Sequence, residues 1–396
     1  MGATPTQFDE GPARSIPTDD ARALRAEMGL CLSGGGYRAM LFHLGTLWRM
    51  NEFGLLPKIA RLSSVSGGSI TSGALALAWN GLVFDEFGCG HGFPTLVAEP
   101  LIGLANRTID LPAIGLGLAL PGVSVADVLV REYNQFLFHG ATLQDLPDPN
   151  GAPEFVFNAT NLQSLALWRF SKGAMQDWRV GKVVNPTIDL AVAVAASSAF
   201  PPVLSPLVLR FEEGEVQDAT GTDLHVPPYT TEVVLSDGGV YDNMGIETVW
   251  KRFTDILVSD AGGKMSPEPD PKGDWARQGL HVLMMGDNQV RNLRKRQVVD
   301  SFQATRCTSS HRNGAFWSIR GDTRDYPYKG SPFAIDHSRT TDLADEPTRL
   351  RAMEPERIER LINWGYAMCD VALQSWYSDS LPVRPEPVLP FPGRGI

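Results

Sequence analysis

A serine surrounded by small residues is the first chemical signal in the chain. Ser66 lies in the run Ser64-Val-Ser66-Gly67-Gly68, between a short apolar stretch and a run of small residues. The run matches the nucleophile elbow G-x-S-x-G, with Ser64 in place of the first glycine. A strand-to-helix turn of this kind raises a serine hydroxyl out of the sheet and points a helix N-terminus at it. The segment predicts a nucleophilic serine, and the alternative is an ordinary Ser/Gly turn.

A glycine-rich loop lies about 30 residues before this serine. Gly34, Gly35 and Gly36 follow a short apolar run and precede Arg38 in a helical pattern. Consecutive glycines expose backbone N–H groups at a helix N-terminus, where an anion or a developing oxyanion is stabilised. A phosphate-binding loop is the alternative, but neither the Walker pattern nor the complete dinucleotide fingerprint is present. The loop therefore predicts an oxyanion hole or, failing that, a tight turn.

A carboxylate at the end of an apolar run is the third signal. Asp237 follows residues 232–235 and is followed by Gly238 and Gly239, which leave room beside the carboxylate. It is a candidate base, and the alternative is an Asp-Gly turn. A Ser-Asp-His triad in the order of the α/β hydrolases is a rival mechanism. Its candidate histidines are His281, His311 and His337.

The elements around these residues indicate how they are brought together. The pattern predicts a strand at 28–32, a helix of about four turns, a strand near 59–65 and a helix at 69–79. This order is that of a βαβ unit with a parallel sheet, so the two turns lie at the same sheet edge. The predicted fold class is α/β, a three-layer α/β/α arrangement with a mostly parallel central sheet. Further elements are predicted as strands at 154–158, 232–235 and 255–259, and as helices within 186–199 and 358–376.

Composition limits the class of protein. The chain has 396 residues, 43% hydrophobic residues and a net charge of −10, which fit a globular protein and argue against a nucleic-acid partner. The four cysteines form no CxxC pair, so reduced thiols are predicted, with no metal and no cofactor. Neither a signal peptide nor a membrane-spanning run is apparent. We expect a cytoplasmic protein.

The predicted organisation is one large domain between two extensions. Residues 1–26 are polar and proline-containing and are expected to form a flexible N-terminal arm. Residues 27–380 form the domain, with the catalytic blocks within 28–250 and the C-terminal part completing the fold. Residues 381–396 contain five prolines and are predicted to be an extended tail.

Together the three segments resemble the patatin-like phospholipase family, which includes the cytosolic phospholipases with the same core. That family combines a Gly-rich oxyanion loop ending in Arg, a GxSxG elbow and an Asp-Gly-Gly or Asp-Gly-Ala motif. Two weaker blocks, residues 157–161 and 197–202, are also similar to the family and occur in its order. The resemblance covers roughly residues 28–250 and implies a patatin-like fold.

The resemblance also implies a role for each residue. Ser66 would be the nucleophile and Asp237 the proton acceptor of a Ser-Asp dyad, and the activity would be that of a phospholipase A type lipid acyl hydrolase. The N–H groups of Gly35 and Gly36 would hold the oxyanion, and Arg38 would support that loop or contact the lipid phosphate. Residues that would bind substrate or support the motifs are Gly34, Gly67, Ser64, Gly68, Gly238 and Gly239. The implied partner is a phospholipid or other acyl lipid.

Two segments are candidates for transient contact with a membrane surface. Residues 100–130 are rich in Leu, Ile, Gly and Pro and predict a lid or interfacial loop, with buried helices as the alternative. Residues 291–296 form a basic cluster that would attract anionic head groups, with a solvated helix face as the alternative. A soluble ester or thioester hydrolase of the same fold, or a catalytically silent relative, remains open beside the lipase.

Overall fold

The computed structural model describes residues 24–110, 124–218, 223–264, 267–271, 273–306, 308 and 310–396. Most of the predicted N-terminal arm, the middle of the predicted lid and Cys307 therefore lie outside the described residues. The three other cysteines, Cys31, Cys89 and Cys369, are free thiols.

The strands are β1 Arg25–Leu32, β2 Ile59–Ser64, β3 Val83–Phe84, β4 Gly90–His91, β5 Glu154–Asn161, β6 Ala166–Phe170, β7 Ala174–Asp177, β8 Gly181–Val184, β9 Leu207–Arg210, β10 Glu232–Asp237, β11 Phe253–Asp260 and β12 Asn313–Ser318. The helices are α1 Gly36–Glu52, α2 Gly67–Ala78, α3 Glu99–Ala105, α4 Val125–Tyr133, α5 Leu190–Ser197, α6 Gly239–Asp242, α7 Glu247–Trp250, α8 Trp275–Gln303, α9 His337–Ala344 and α10 Pro355–Trp376. No helix among the described residues combines the length and hydropathy needed to cross a membrane.

The main sheet is parallel in one half and antiparallel in the other. Strands β12, β11, β1, β2 and β5 are adjacent in that order and run parallel. Strands β6, β7 and β8 extend the sheet beyond β5 as antiparallel hairpins. The mostly parallel α/β fold is confirmed for the half that carries the βαβ unit. The antiparallel extension was not predicted, and it follows from connections of only three or four residues, which are too short for a parallel crossover.

Two strands approach each other end to end along β5. β2 pairs with β5 in parallel from Arg61 to Ser64, so that Ser64 lies opposite Phe157. β10 pairs antiparallel with the next part of β5, so that Asp237 lies opposite Ala159. The carboxyl ends of β2 and β10 therefore meet beside the single residue between these pairs, Asn158.

Alternating side chains of the central strands belong to two apolar cores, one on each face of the sheet. In β1, Leu30 and Leu32 join the larger core, which also contains apolar residues of α1, α2 and α10. Cys31 between them points to the smaller core, together with Val249 of α7 and Val298 of α8. Helices therefore cover both faces, as a buried parallel sheet requires.

The large apolar side chains in the described parts of residues 100–130, the predicted lid, lie in the core or pack against it. Leu101 and Leu104 of α3 and Val128 and Leu129 of α4 are buried in the larger core. The alternative of buried helices is correct for these parts, because their apolar side chains pack under the sheet. Residues 111–123 lie outside the described residues.

Candidate active site

Ser66 occupies a strained turn between β2 and α2. Its φ of 52° and ψ of −119° fall in a region that non-glycine residues rarely adopt and that occurs at functional sites. The Ser66 N–H donates a hydrogen bond to Oγ of Ser197 at 3.0 Å, which holds the turn. The side chain keeps 7% of its surface exposed and lies at the N-terminus of α2.

Asp237 is the last residue of β10 and is held at both backbone groups. Its N–H donates to the carbonyl of Ala199 at 2.9 Å, and its carbonyl accepts from Oγ1 of Thr160 at 2.8 Å. Its carboxylate accepts the N–H of Gly239 at 2.6 Å, and the Ser66 hydroxyl lies near enough to lower its pKa. The two predicted chemical residues are thus neighbours in the fold.

Burial dominates the electrostatics of this carboxyl group. Asp237 is 2% exposed, and the loss of solvation raises its pKa to about 7, against the lowering effect of the Gly239 N–H and the Ser66 hydroxyl. The charge of Asp287 raises the same pKa slightly further. Asp237 therefore accepts a proton readily near neutral pH.

Three backbone N–H groups near Ser66 belong to the glycine loop and the elbow, which approach each other closely. Gly35 and Gly36 have φ of 145° and 60°, values that glycine adopts without strain. Within the described part of the chain, no acceptor takes a hydrogen bond from the N–H of Gly35, Gly36 or Gly67. The N–H of Gly34 differs, because it donates to the carbonyl of Asn243 at 2.9 Å. Gly34 contributes space instead, since a Cβ there would lie 3.1 Å from Cβ of Ser66.

The glycine loop and the elbow touch through their backbones. A Cβ on Gly67 would overlap the carbonyl oxygen of Gly36, so only glycine permits this approach. Gly68 is equally confined by the carbonyls of Leu32 and Ser33. Close contact of the two turns brings the free N–H groups and the serine to one point.

Arg38 is buried behind the glycine loop and is held by hydrogen bonds to distant parts of the chain. It is 2% exposed and donates to the carbonyls of Ala261 and Glu346 and, at 3.1 Å, to Oγ1 of Thr348. Burial lowers the pKa of Arg38 to about 10, which leaves the group charged at neutral pH. Of the two roles implied for Arg38, the structure is consistent with loop support rather than phosphate contact.

The remaining motif residues pack around the meeting point of β2 and β10. Ser64 donates to the carbonyl of Val156 at 3.3 Å. The N–H of Gly238 faces the carbonyl of Ser197 at 3.4 Å, and a side chain on Gly238 would overlap the carbonyl of Asn158.

Sequence reasoning assigned no role to three residues that hold this arrangement. Asn158 donates to Oγ of Ser63 and to the carbonyl of Ser64, both at 2.9 Å. Ser197 donates to the carbonyl of Asn158 at 2.7 Å, so it ties β5 to the elbow. Both lie in the two weaker sequence blocks, which were the available signal.

His43 is the third of these residues, and the sequence carried no signal for it. Its Nε2 lies 2.9 Å from the carbonyl of Ser33, and its Nδ1 lies 2.9 Å from Oγ of Ser259. Burial lowers its pKa to about 4, so the ring is neutral at pH 7. Because a carbonyl only accepts, Nε2 carries the proton, and the ring fixes the start of the glycine loop.

The histidines of the rival triad have other surroundings. His311 contacts Ala304 and Asn313, and His337 lies beside Asp322. His281 lies on α8, and no described histidine forms a hydrogen bond with Ser66 or Asp237. In the described ranges no three acidic, histidine or cysteine side chains cluster as metal ligands would.

Two of the four basic residues at 291–296 form ion pairs. Arg291 pairs with Asp260 at 2.9 Å, and Arg294 pairs with Glu247 at 2.8 Å. Lys295 lies over the ring of Phe316. The cluster therefore attaches α8 to the domain, which its predicted alternatives did not include.

The comparisons with known proteins agree with this architecture. The family model of the patatin-like phospholipases matches residues 30–250, more than half of the chain. The chain belongs to the patatin-like phospholipase family, so lipid acyl hydrolysis is supported at the level of the family. No curated protein matches the sequence significantly.

Solved structures of human GIVD cytosolic phospholipase A2 share the fold. One has a TM-score of 0.50 at 12% identity and covers 90% of this chain and 63% of that chain. A second, in complex with methyl gamma-linolenyl fluorophosphonate, has a TM-score of 0.51 at 13% identity and covers 89% and 58%. The chain spans less than two thirds of their length, and at this identity the likeness concerns the fold alone.

Proposed function

We propose that this protein is a serine hydrolase of the phospholipase A type that cleaves fatty-acyl esters of phospholipids or other acyl lipids. The observation that carries the proposal is the proximity of the strained Ser66 to the buried Asp237, beside three backbone N–H groups that have no acceptor among the described residues. A nucleophile, a base and an oxyanion site then lie close together in the fold.

The geometry supports a two-step reaction. Oγ of Ser66 attacks the ester carbonyl while Asp237 takes the hydroxyl proton, and the N–H groups of Gly35, Gly36 and Gly67 hold the resulting oxyanion. The intermediate collapses to an acyl-enzyme, and the protonated Asp237 returns its proton to the departing alcohol. Water then attacks the acyl group while Asp237 accepts its proton, and Asp237 passes this proton to the departing Oγ of Ser66, which releases the fatty acid and regenerates the free serine and the carboxylate.

The pKa of Asp237 suits this role. An ordinary aspartate, with a pKa of about 3.9, is a weak base at pH 7. A carboxylate with a pKa of about 7 is a much better proton acceptor at the same pH. The mechanism needs neither a histidine nor a metal for the proton transfers.

The substrate class is supported by family membership and by one solved relative. Human GIVD cytosolic phospholipase A2 has been solved with a linolenyl fluorophosphonate, which pairs an acyl-type chain with a serine-reactive group. We extend that class to this chain, with transient contact to a membrane surface. The free thiols of Cys31, Cys89 and Cys369 support a reducing, cytoplasmic location.

The test combines covalent labelling with lipid product analysis. Wild-type protein should react with a fluorophosphonate probe at Ser66 and release fatty acid from phospholipid vesicles. Ser66→Ala should lose labelling and at least about 10³-fold in rate, because the nucleophile is removed. Ser72→Ala, on the same helix, should match the wild type. Equal fatty-acid release by the wild type and Ser66→Ala would refute the assignment of the nucleophile.

The same assay separates the alternatives. A soluble ester or thioester hydrolase would hydrolyse short esters and show no gain on vesicles. A silent relative would give neither labelling nor product in the wild type.

A further inference from the structure

Helix α8 exposes an unusual number of large apolar side chains. Its N-terminus is capped by Asp274, whose side chain accepts the N–H of Arg277 at 3.0 Å. Seven large apolar side chains on this helix are at least 42% exposed: Trp275, Val282, Leu283, Met284, Met285, Val290 and Leu293. Burial of these seven side chains against a partner is favourable, so their exposure together indicates a contact surface.

The helix has one face that attaches it to the domain and another that faces away. Arg291, Arg294 and Val298 are spaced by three and four residues, share one face and contact the body of the protein. Trp275, Val282 and Leu293 are spaced by seven and eleven residues and share a different face. At 3.6 residues per turn the two faces are about 100–160° apart.

The attached face fixes α8 beside the candidate active site. Arg291 donates to the carbonyls of Gly262 and Gly263, next to Ala261, whose carbonyl accepts Arg38 of the oxyanion loop. Helix α6, which begins two residues after Asp237, packs against α8. α8 is therefore attached to the same backbone segment, residues 261–263, that accepts the hydrogen bond of Arg38 from the glycine loop.

Two exposed apolar side chains lie next to residues that hold Asp237. Val240 in α6 is 40% exposed and follows Gly239, which bonds the Asp237 carboxylate. Phe200, next to the Ala199 carbonyl that holds Asp237, is 41% exposed. Since α6 packs against α8, exposed apolar side chains occur both on α8 and beside Asp237.

The charges on this part of α8 do not select an anionic surface. Between 274 and 290 the charged side chains are Asp274, Arg277 and Asp287, and Arg277 pairs with Asp274 at 2.5 Å. Of the basic residues that follow, Arg291 pairs with Asp260 and Arg294 pairs with Glu247, whereas Lys295 lies over the ring of Phe316. Contact through this face is therefore apolar in character and suits uncharged or zwitterionic lipid.

We propose that residues 275–293 of α8 are the lipid-docking element of this protein. Their exposed apolar side chains insert among lipids at a membrane surface, and the helix lies parallel to that surface beside the Ser66 site. The proposal rests on the proposed function for the choice of a lipid surface as the occupant. It places the membrane contact on the apolar side chains of α8 rather than on residues 100–130 or on the basic side chains of 291–296.

The experiment separates docking from chemistry by working first in inactive protein. Full-length Ser66→Ala is mixed with phosphatidylcholine vesicles, and the bound fraction is measured by flotation. Val282→Asp with Met285→Asp tests the patch, at positions 60% and 51% exposed. Val83→Asp with Val388→Asp is the matched control, at exposed positions of 69% and 63% in other parts of the fold.

We expect the α8 variant to lower vesicle partitioning by at least about tenfold, because two buried apolar contacts are replaced by charges. The control should bind as the parent does, and raised ionic strength should leave binding unchanged. With Ser66 restored, the α8 variant should hydrolyse a short soluble ester at the wild-type rate and vesicle lipid at least tenfold more slowly.

Two outcomes would overturn the proposal, and a third would separate it from the proposed function. Equal vesicle binding by the α8 variant and the control contradicts it directly. Self-association of the parent that the α8 variant abolishes, with vesicle binding unchanged, would identify the patch as a protein interface. Wild-type protein that binds vesicles through α8 but hydrolyses no ester would refute the proposed function and leave the docking proposal standing.

Discussion

At the scale of single residues, the site depends on two atypical environments. Ser66 adopts a strained backbone conformation, and Asp237 is a carboxyl group with little access to water. The strained turn places the Ser66 hydroxyl beyond the end of the strand, and burial raises the pKa of Asp237 toward neutrality. Neither property belongs to the residue type, because both follow from the residues packed around it.

The pH dependence of activity should follow the raised pKa of Asp237. The carboxylate acts only when it is unprotonated, so activity is lost as the pH falls through about 7. Below this value kcat/KM should decrease about tenfold per pH unit, against an ordinary aspartate limit near pH 4. A pH profile with a short soluble ester measures this. A flat profile between pH 5 and 8 would contradict the role of Asp237 as the base.

Ser197 should act as a positioning residue. Ser197→Ala removes the acceptor of the Ser66 N–H and leaves a buried donor unsatisfied, at a cost of about 1–3 kcal/mol in stability. We expect kcat to fall while KM changes little, with fluorophosphonate labelling slower but present. Ser72→Ala is the control, since within the described chain the buried Ser72 hydroxyl has no partner. Full activity in Ser197→Ala would show that its hydrogen bond is dispensable.

At the scale of elements, the decisive feature is the end-to-end approach of β2 and β10 along β5. The two strands run in opposite directions, so their carboxyl ends converge on Asn158 and bring Ser66 and Asp237 close together. The glycine loop after β1 joins them because β1 and β2 are parallel neighbours. A purely parallel arrangement would place all three turns along one edge, whereas here Asp237 arrives from the opposite direction.

Contact between the two turns should tolerate no side chain at Gly67. Gly67→Ala places a Cβ against the Gly36 carbonyl, which separates the elbow from the oxyanion loop. We expect a loss of about 10²-fold or more in kcat and about 1–3 kcal/mol in stability from overpacking. Gly103→Ala in α3 is the control, because a Cβ there meets no described atom within 4 Å. Its stability should stay equal or rise by up to about 1 kcal/mol, since alanine favours helix. Thermal denaturation and ester hydrolysis measure both variants.

At the scale of the whole molecule, the C-terminal third completes both the sheet and the site. β11 and β12 extend the parallel half beyond β1, and α10 packs along α1 through the buried ion pair of Arg49 with Asp370. Arg38 finds its acceptors at Ala261, Glu346 and Thr348. The oxyanion loop is thus held by residues outside the region that the family model matches.

A fragment ending at residue 250 should therefore fail to form the site. It lacks β11, so β1 loses one of its two neighbouring strands, and it lacks the acceptors of the buried Arg38. We expect loss of cooperative unfolding and of fluorophosphonate labelling, measured against the full chain. A fragment 24–250 that unfolds cooperatively and is labelled at Ser66 would show that the C-terminal part is accessory.

The sequence alone determined the family and the fold class, and it singled out the candidate residues Ser66 and Asp237, which the structure places close together. Local patterns were sufficient, because an elbow, a glycine loop and an Asp-Gly-Gly run each reflect backbone requirements that only small residues meet. The supporting contacts of His43, Asn158 and Ser197 were not readable, since each depends on a partner distant in sequence.

Only the tertiary structure decided how these residues meet and which apolar side chains of α8 are exposed. The pKa of Asp237 results from burial, which is a property of the assembled core. Most of the exposed apolar side chains of α8 come before the basic residues of 291–296 in sequence. Ion pairs with Asp260 and Glu247 attach the other face of the helix to the domain, which leaves these apolar side chains exposed. Sequence patterns record the local conformational demands of each segment, whereas solvation, charge pairing and the exposed face of a helix depend on what the rest of the chain places against it.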